Sequence, residues 1–205
     1  PAVELILTTL HSGGKFSGKN YYSAGGLHGV GASVVCALAE KMEVTIWRDG
    51  FEWEQIFSRG KAVGALKRGD KSRKHGTCIK FWADTEIFKV RRFSAERLER
   101  TIQEKAFLNR GLTLVFTDEG SGRTQDFCYP EGIKAFLSSQ LERSKAEPVS
   151  GETFYLERAN GVKIEAAFCW TDSTSEKILS FVNGIHTPQG GSHEDGFKSG
   201  ISRAI

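Results

Sequence analysis

Methionine occurs once in these 205 residues, at Met42, and proline only four times. With no methionine at its start, the chain reads as a fragment or a processed product. No apolar run approaches the roughly 20 residues of a membrane helix. The opening PAVELILTTLHSGG carries neither the basic leader nor the cleavage site of a signal peptide. Cys36, Cys78, Cys128 and Cys169 are widely spaced and form no C-x-x-C pair, which argues against a zinc site or a disulfide framework and fits a reducing cytoplasm. A net charge of +3 is too small to announce a nucleic-acid binder by itself.

What the chain does have is glycine, 23 residues of it, with 39% hydrophobic and 26% charged residues. That balance suits a soluble globular protein of one large domain or two small ones, rich in tight turns. Val3, Ile6, Leu7 and Leu10 fall at helical spacing, with Gly13-Gly14 as a stop, and SGKNYYSA (17–24) reads as a loop. ASVVCALAEKM sets Val34, Val35, Leu38 and Met42 on one face of a second helix. EVTIW and FEWEQIF form a hairpin around Asp49-Gly50, and GTCIKFW is a further strand. Ser94 caps a helix with Leu98, Ile102 and Leu108 on its apolar side. LTLVFTD and TQDFCY pair around Gly120–Gly122, and Pro130 suits the first turn of PEGIKAFLSSQL. The polar stretch 142–152 is the best boundary. Beyond it a hairpin turns at Asn160-Gly161, KILSFVNGI is a strand, and the end is helical. The expected architecture is α+β, a mostly antiparallel sheet with helices on one face.

SAGGLHGVGASVV (23–35) places four glycines before a helix-like run. Glycine-lined amides at a helix start make a nest for phosphate, and Lys15 could add a charge. The same residues also suit a plain turn: no G-K-[ST] follows and no strand precedes, so neither a Walker A loop nor a dinucleotide fold is indicated. His28 lacks an acidic partner in sequence and reads as a loop residue that touches ligand. The basic run Lys67–Lys74 offers either a DNA-backbone contact or a solvated connection between strands, and short charge runs generally face water. In PQGGSHEDGF, Ser192 reads as a helix N-cap with Glu194 and Asp195 complementing the dipole, and not as a metal site.

LHSGGKF, YYSAGGLHGVGASVV, GTCIKFWADTEIF, KAFLNRGL, EGIKAF and FVNGIHTPQGGSHEDGF stand together in one order. In that order and spacing the chain, from Val3 onward, resembles the ATPase subunits of bacterial type IIA DNA topoisomerases, the gyrase B and topoisomerase IV B kind. The resemblance implies part of a gyrase, chaperone, histidine-kinase and mismatch-repair-type ATPase domain over 1–141. A linker at 142–151 and the start of a transducer domain over 152–205 would follow. It implies ATP as ligand: Gly26 and the amides of Leu27, His28, Gly29, Val30 and Gly31 around the terminal phosphates, Lys15 and Tyr21 in the lid, Thr77 at the adenine end. Arg48 matches an arginine at the pocket edge where inhibitors bind, and Cys36 replaces a usual asparagine.

The family's general-base glutamate, magnesium-binding asparagine and adenine-binding aspartate precede the lid, and its transducer lysine follows the last position here. The resemblance therefore implies no catalytic residue and no metal ligand in this chain, and a fragment inactive alone. The intact protein would need ATP and Mg2+, dimerise, act on duplex DNA with the DNA-cleaving gyrase A or topoisomerase IV A protein, and work in the bacterial cytoplasm at the nucleoid. KFSGKNY leans toward topoisomerase IV, and KAFLNRGL with HEDGF toward gyrase. The alternative is a non-catalytic remnant or interaction module that keeps the fold without turnover.

Overall fold

Asp49 and Gly50 adopt φ of 55° and 80°, the left-handed pair a two-residue hairpin turn requires. This turn joins β1 (Ala39–Arg48) to β2 (Phe51–Ser58) with Arg48 opposite Phe51, as the sequence predicts. The computed structural model describes residues 1–12, 29–149 and 151–204. These divide into two compact units, Pro1–Arg92 and Phe93–Ile205.

The first unit holds α1 (Ala2–Thr8), α2 (Gly31–Ala37), β1 and β2, with β3 (Lys61–Ala62), β4 (Lys67–Lys71) and β5 (Gly76–Ala83). Its sheet is antiparallel in the order β3-β2-β1-β5, and β4 also pairs with β2. Leu7, Cys36, Ala39, Met42, Val44 and Phe57 form the core, so both helices cover the sheet face that carries Met42, Val44 and Phe57. Gln55 Nε2 donates to Glu4 Oε2 at 2.9 Å and ties α1 to β2.

Two expectations change here. The helix expected to run through Met42 ends at Ala37, and Met42 is a buried strand residue. Met42 continues the helical spacing of Val35 and Leu38 but also opens the alternation Met42, Val44, Ile46, and hydrogen bonding of β1 to both β2 and β5 decides the matter. Ser33 and Cys36, not Val34, Val35 and Leu38, are therefore the inward residues near α2. The basic run, read as a connection, is in its first half a strand on the sheet edge. The stop at Gly13-Gly14 and the loop at 17–24 lie outside the described residues.

The second unit contains α3 (Ala95–Leu108), β6 (Leu114–Asp118), β7 (Arg123–Phe127), α4 (Ile133–Ser144), β8 (Phe154–Asn160) and β9 (Val162–Phe168). It closes with β10 (Phe181–Val182), β11 (Ile185–His186) and α5 (Ser192–Ala204). Ser94 Oγ accepts from Arg97 N–H at 3.3 Å and caps α3 as expected. Ala106, Phe116 and Phe127 make the core, and Tyr129 stacks on Phe107 with ring centroids 3.6 Å apart. Pro130 precedes α4 by three residues instead of opening it, because Gly132 at φ 57° takes the cap position. KILSFVNGI yields a small hairpin, not one strand: Asn183 and Gly184, both at positive φ, turn β10 back on β11. The fold is mixed α/β with antiparallel sheets, and among the described residues it has five helices.

Candidate nucleotide-binding site

Gly29 sits at φ 59°, a left-handed conformation that glycine adopts without strain, and delivers the chain to the start of α2. Val30 is the N-cap, its carbonyl accepting from Val34 N–H at 2.9 Å and from Ser33 Oγ at 3.0 Å. The first amides of any α-helix lack intrahelical partners and point outward along the axis. A cradle built from Val30, Gly31 and the first turn thus has donors to offer an anion. Among the described residues a Cβ built at Gly31 would meet nothing within 4 Å. Thr77, on β5 opposite Ile46, is exposed on the sheet face that also carries Met42 and Val44. Lys15, Tyr21, Gly26, Leu27 and His28 lie outside the described residues.

The foundation of α2 is a polar knot that sequence reasoning misses. Arg59 and Gly60 form the β2–β3 turn, with Arg59 N–H on Ala39 O at 2.8 Å and Gly60 N–H on Cys36 O at 3.0 Å. Gly60, at φ 77°, lies so close to α2 that a Cβ would stand 3.2 Å from Ala37 Cα. Arg59 then forks onto Asp84, with Nε to Oδ2 at 2.6 Å and Nη2 to Oδ1 at 3.2 Å, and reaches Glu86 at 2.6 Å. Asp84 is 1% exposed, and its N–H donates to Leu38 O at 3.0 Å. Arg59 and the Glu86 N–H hold the Asp84 carboxyl below its usual range, and the two carboxylates raise Arg59. Burial pushes the Cys36 thiol up, so it is a neutral core residue. The signals are present in the sequence, an Arg-Gly turn at 59–60 and an acid directly after an apolar strand, but nothing local ties them together.

In the second unit Arg110, from KAFLNRGL, donates to Tyr155 OH at 3.0 Å, Glu157 at 2.7 Å and Glu165 at 3.0 Å. Lys163 bridges the same two carboxylates at 3.2 and 2.7 Å. At the start of α5, Ser192 is the first helical residue and the Gly191 carbonyl accepts from Glu194 and Asp195, so Ser192 is not the cap. Glu194 is held by Ser180 at 3.0 Å and Lys198 at 3.1 Å.

Residues 132–205 match the model of the DNA gyrase B family. The whole chain aligns at 41% identity with the DNA gyrase B protein of Campylobacter jejuni and covers 26% of it. It aligns at 44% with the DNA topoisomerase 4 B protein of Staphylococcus epidermidis, covering 31% of it. The chain thus spans about a quarter to a third of the length of these relatives. Its structure superimposes over 100% of its length on the 43K ATPase domain of Thermus thermophilus gyrase B in complex with an aminocoumarin. That match has a TM-score of 0.83 and 35% identity and covers 52% of the domain. A topoisomerase IV ATP-binding domain of Francisella tularensis with a small-molecule inhibitor matches 98% of the chain and 52% of that domain, with TM-score 0.76 and 33% identity. Residues 132–205 thus carry the pattern of the DNA gyrase B family, and along its whole length the chain is similar to gyrase B and topoisomerase IV B proteins.

Proposed function

We propose that the chain is part of the ATP-binding subunit of a bacterial type II topoisomerase, in which ATP-driven dimerisation gates DNA strand passage. The observation that carries this reading is the superposition of all of the chain on a gyrase B ATPase domain. In this division, residues 1–141 belong to the ATPase portion, 142–151 to a linker and 152–205 to the transducer.

The amides of Leu27 to Gly31 are assigned to the terminal phosphates of ATP. The left-handed Gly29 and the helix start at Val30 and Gly31 suit that role. Gly26 is assigned beside them at the phosphates, Lys15 and Tyr21 to the lid, and the exposed Thr77 to the adenine end. Bound ATP with Mg2+ supplies the phosphoanhydride whose hydrolysis resets the gate. The residues here bind and orient it: the Arg59–Asp84 knot fixes α2, and α2 fixes the amides. ATP drives dimerisation through a higher affinity for the closed state. Duplex DNA and the DNA-cleaving gyrase A or topoisomerase IV A protein are the partners of the intact enzyme, and the bacterial cytoplasm, at the nucleoid, its place. Among the described residues no helix is long and apolar enough to cross a membrane.

Calorimetric titration of the intact protein with a non-hydrolysable ATP analogue and Mg2+ tests this. Gly29→Val should weaken binding by at least about tenfold, because a β-branched residue resists positive φ. An intact protein that binds no nucleotide would sink the proposal. Binding without turnover would favour the non-catalytic remnant.

A further inference from the structure

Lys67, Arg68, Lys71, Arg73 and Lys74 are five cations in eight residues, and β4 holds the first three on the edge of the sheet. Pairing sets Trp53 opposite Arg68 and Phe51 opposite Lys71, with a register shift between them, and it sets Glu54 opposite Lys67 on the other face. The extra residue of this bulge, at Gly69-Asp70, makes two cations three positions apart share one face. Arg48 joins that face from β1, opposite Phe51. The Arg68 guanidinium lies 4.7 Å from the centre of the Phe51 ring on that face, and Lys74 Nζ lies 5.2 Å from the centre of the Trp47 ring on the opposite face, so the cations flank the sheet edge from both sides. Both cations are thus pre-positioned on rigid aromatic supports. Glu52, Glu54 and Asp70 share the ribbon, yet among the described residues none stands within ion-pair distance of the five. Glu52 instead accepts from Trp47 Nε1 at 2.5 Å.

An exposed edge strand needs charge to avoid pairing with other sheets, and one lysine would serve that purpose. Five cations, none of them held in an ion pair among the described residues, go beyond it. An extended segment of this length reaches up to about 25 Å, at roughly 3.3 Å per residue. Duplex DNA carries one phosphate charge per about 1.7 Å of axis, so such a row can neutralise several phosphates along most of one helical turn.

We propose that β4 and the segment after it, to Lys74, form a docking surface for the phosphate backbone of duplex DNA. The choice of DNA among polyanions rests on the function proposed above; the unpaired basic row is independent of it. The contact is non-sequence-specific, since every group in it addresses phosphate.

The test is fluorescence anisotropy of a labelled 30-base-pair duplex titrated with the full chain, between about 50 and 200 mM salt. The first variant carries Lys67→Gln, Arg68→Gln and Lys71→Gln. The second, Arg73→Gln with Lys74→Gln, leaves the strand ladder untouched and so answers even if the first folds poorly. A charge-matched control carries Arg143→Gln, Arg158→Gln and Arg203→Gln, all exposed in the second unit. The logarithmic salt slope should become shallower by about 2 to 3 in the first variant and by about 2 in the second. Affinity near 100 mM salt should fall at least about tenfold in the first, with the control within about twofold of the parent. Equal loss in all three would reduce the effect to net charge and overturn the proposal. So would a parent chain that ignores duplex, or vesicles of 30% phosphatidylserine that compete as well as DNA. Titrating the first two variants, placed in the intact protein, with the ATP analogue keeps the readings separate. Nucleotide binding with unaffected DNA binding removes only this surface. Loss of nucleotide binding in the unmodified protein removes the functional reading while the duplex titration still reports on β4.

Discussion

In the first unit Arg59 reaches a carboxylate sealed from solvent, whereas in the second Arg110 reaches two that remain partly wet. The side chain of Asp84 is 2% exposed, against 38% for Glu157 and 22% for Glu165. Both arginines fork between two acids and both are raised by them, so the chemistry is alike. The surroundings differ. Asp84 also receives the Glu86 N–H at 2.9 Å, and its own N–H fixes the end of β5 to Leu38, so an amide in place of its buried carboxylate would set NH2 donors against those of Arg59. The Arg110 cluster can exchange its partners for water, and surface ion pairs of that sort contribute little. The first network anchors the C-terminal end of α2, and the second joins the segment after α3 to a hairpin.

The largest break in this comparison comes from the core beneath the first network. Phe57 is fully buried, and Phe57→Ala should cost about 3–5 kcal/mol in urea unfolding. A loss near 1 kcal/mol would mean that α1 and α2 do not rely on this side chain. A smaller, sharper contrast uses two glycines of nearly equal backbone angle. Gly60, at φ 77°, would place a Cβ 3.2 Å from Ala37 Cα, whereas Gly161, at φ 76°, would meet none of the described residues within 4 Å. Each Gly→Ala change carries the left-handed penalty of roughly 1–2 kcal/mol. Gly60→Ala should exceed Gly161→Ala, because α2 must also give way. Equal losses would show that the β2–β3 turn does not abut α2 as tightly as the distance implies.

Local chemistry makes much of this legible. Asp49-Gly50 and Asn160-Gly161 announce their hairpins, and Ser94 announces its helix, because each signal is complete within a few residues. Met42 misleads because its neighbours satisfy helical and strand periods together, and only partners distant in sequence choose between them. Asn183-Gly184 does not stand out as a turn, since β10 and β11 are two residues each and show no alternation of their own. Of the candidate site, Gly29, Val30 and Gly31 are legible as a glycine-lined helix start. Arg59 and Asp84 are not, because 25 positions separate them and neither stands in a recognisable spacing. The bulge that gathers Arg68 with Lys71 is likewise a property of pairing and invisible in composition.

The finest discrimination between the two networks comes from pH and salt. A carboxyl whose folded pKa is depressed adds stability that is complete above its unfolded value, near 4, and is lost as pH falls through the folded one. Hydrogen bonds from Arg59 and the Glu86 amide depress Asp84, and those from Arg110, Tyr155 and Lys163 bring Glu157 down to about 2. Urea midpoints of Asp84→Asn and Glu157→Gln, measured from pH 7 downward, should both lie below the parent. Each gap should close only below about pH 4, that for Glu157 persisting until pH nears 2. Glu157→Gln should lower Tm by no more than about 2 °C, as exposed pairs do, and about 1 M salt should erase most of that. The Asp84→Asn loss should be larger and survive the salt, because ions cannot screen a pair closed off from solvent on one side. Equal screening of both variants would mean that Asp84 is wet, and that the α2 cradle rests on packing alone.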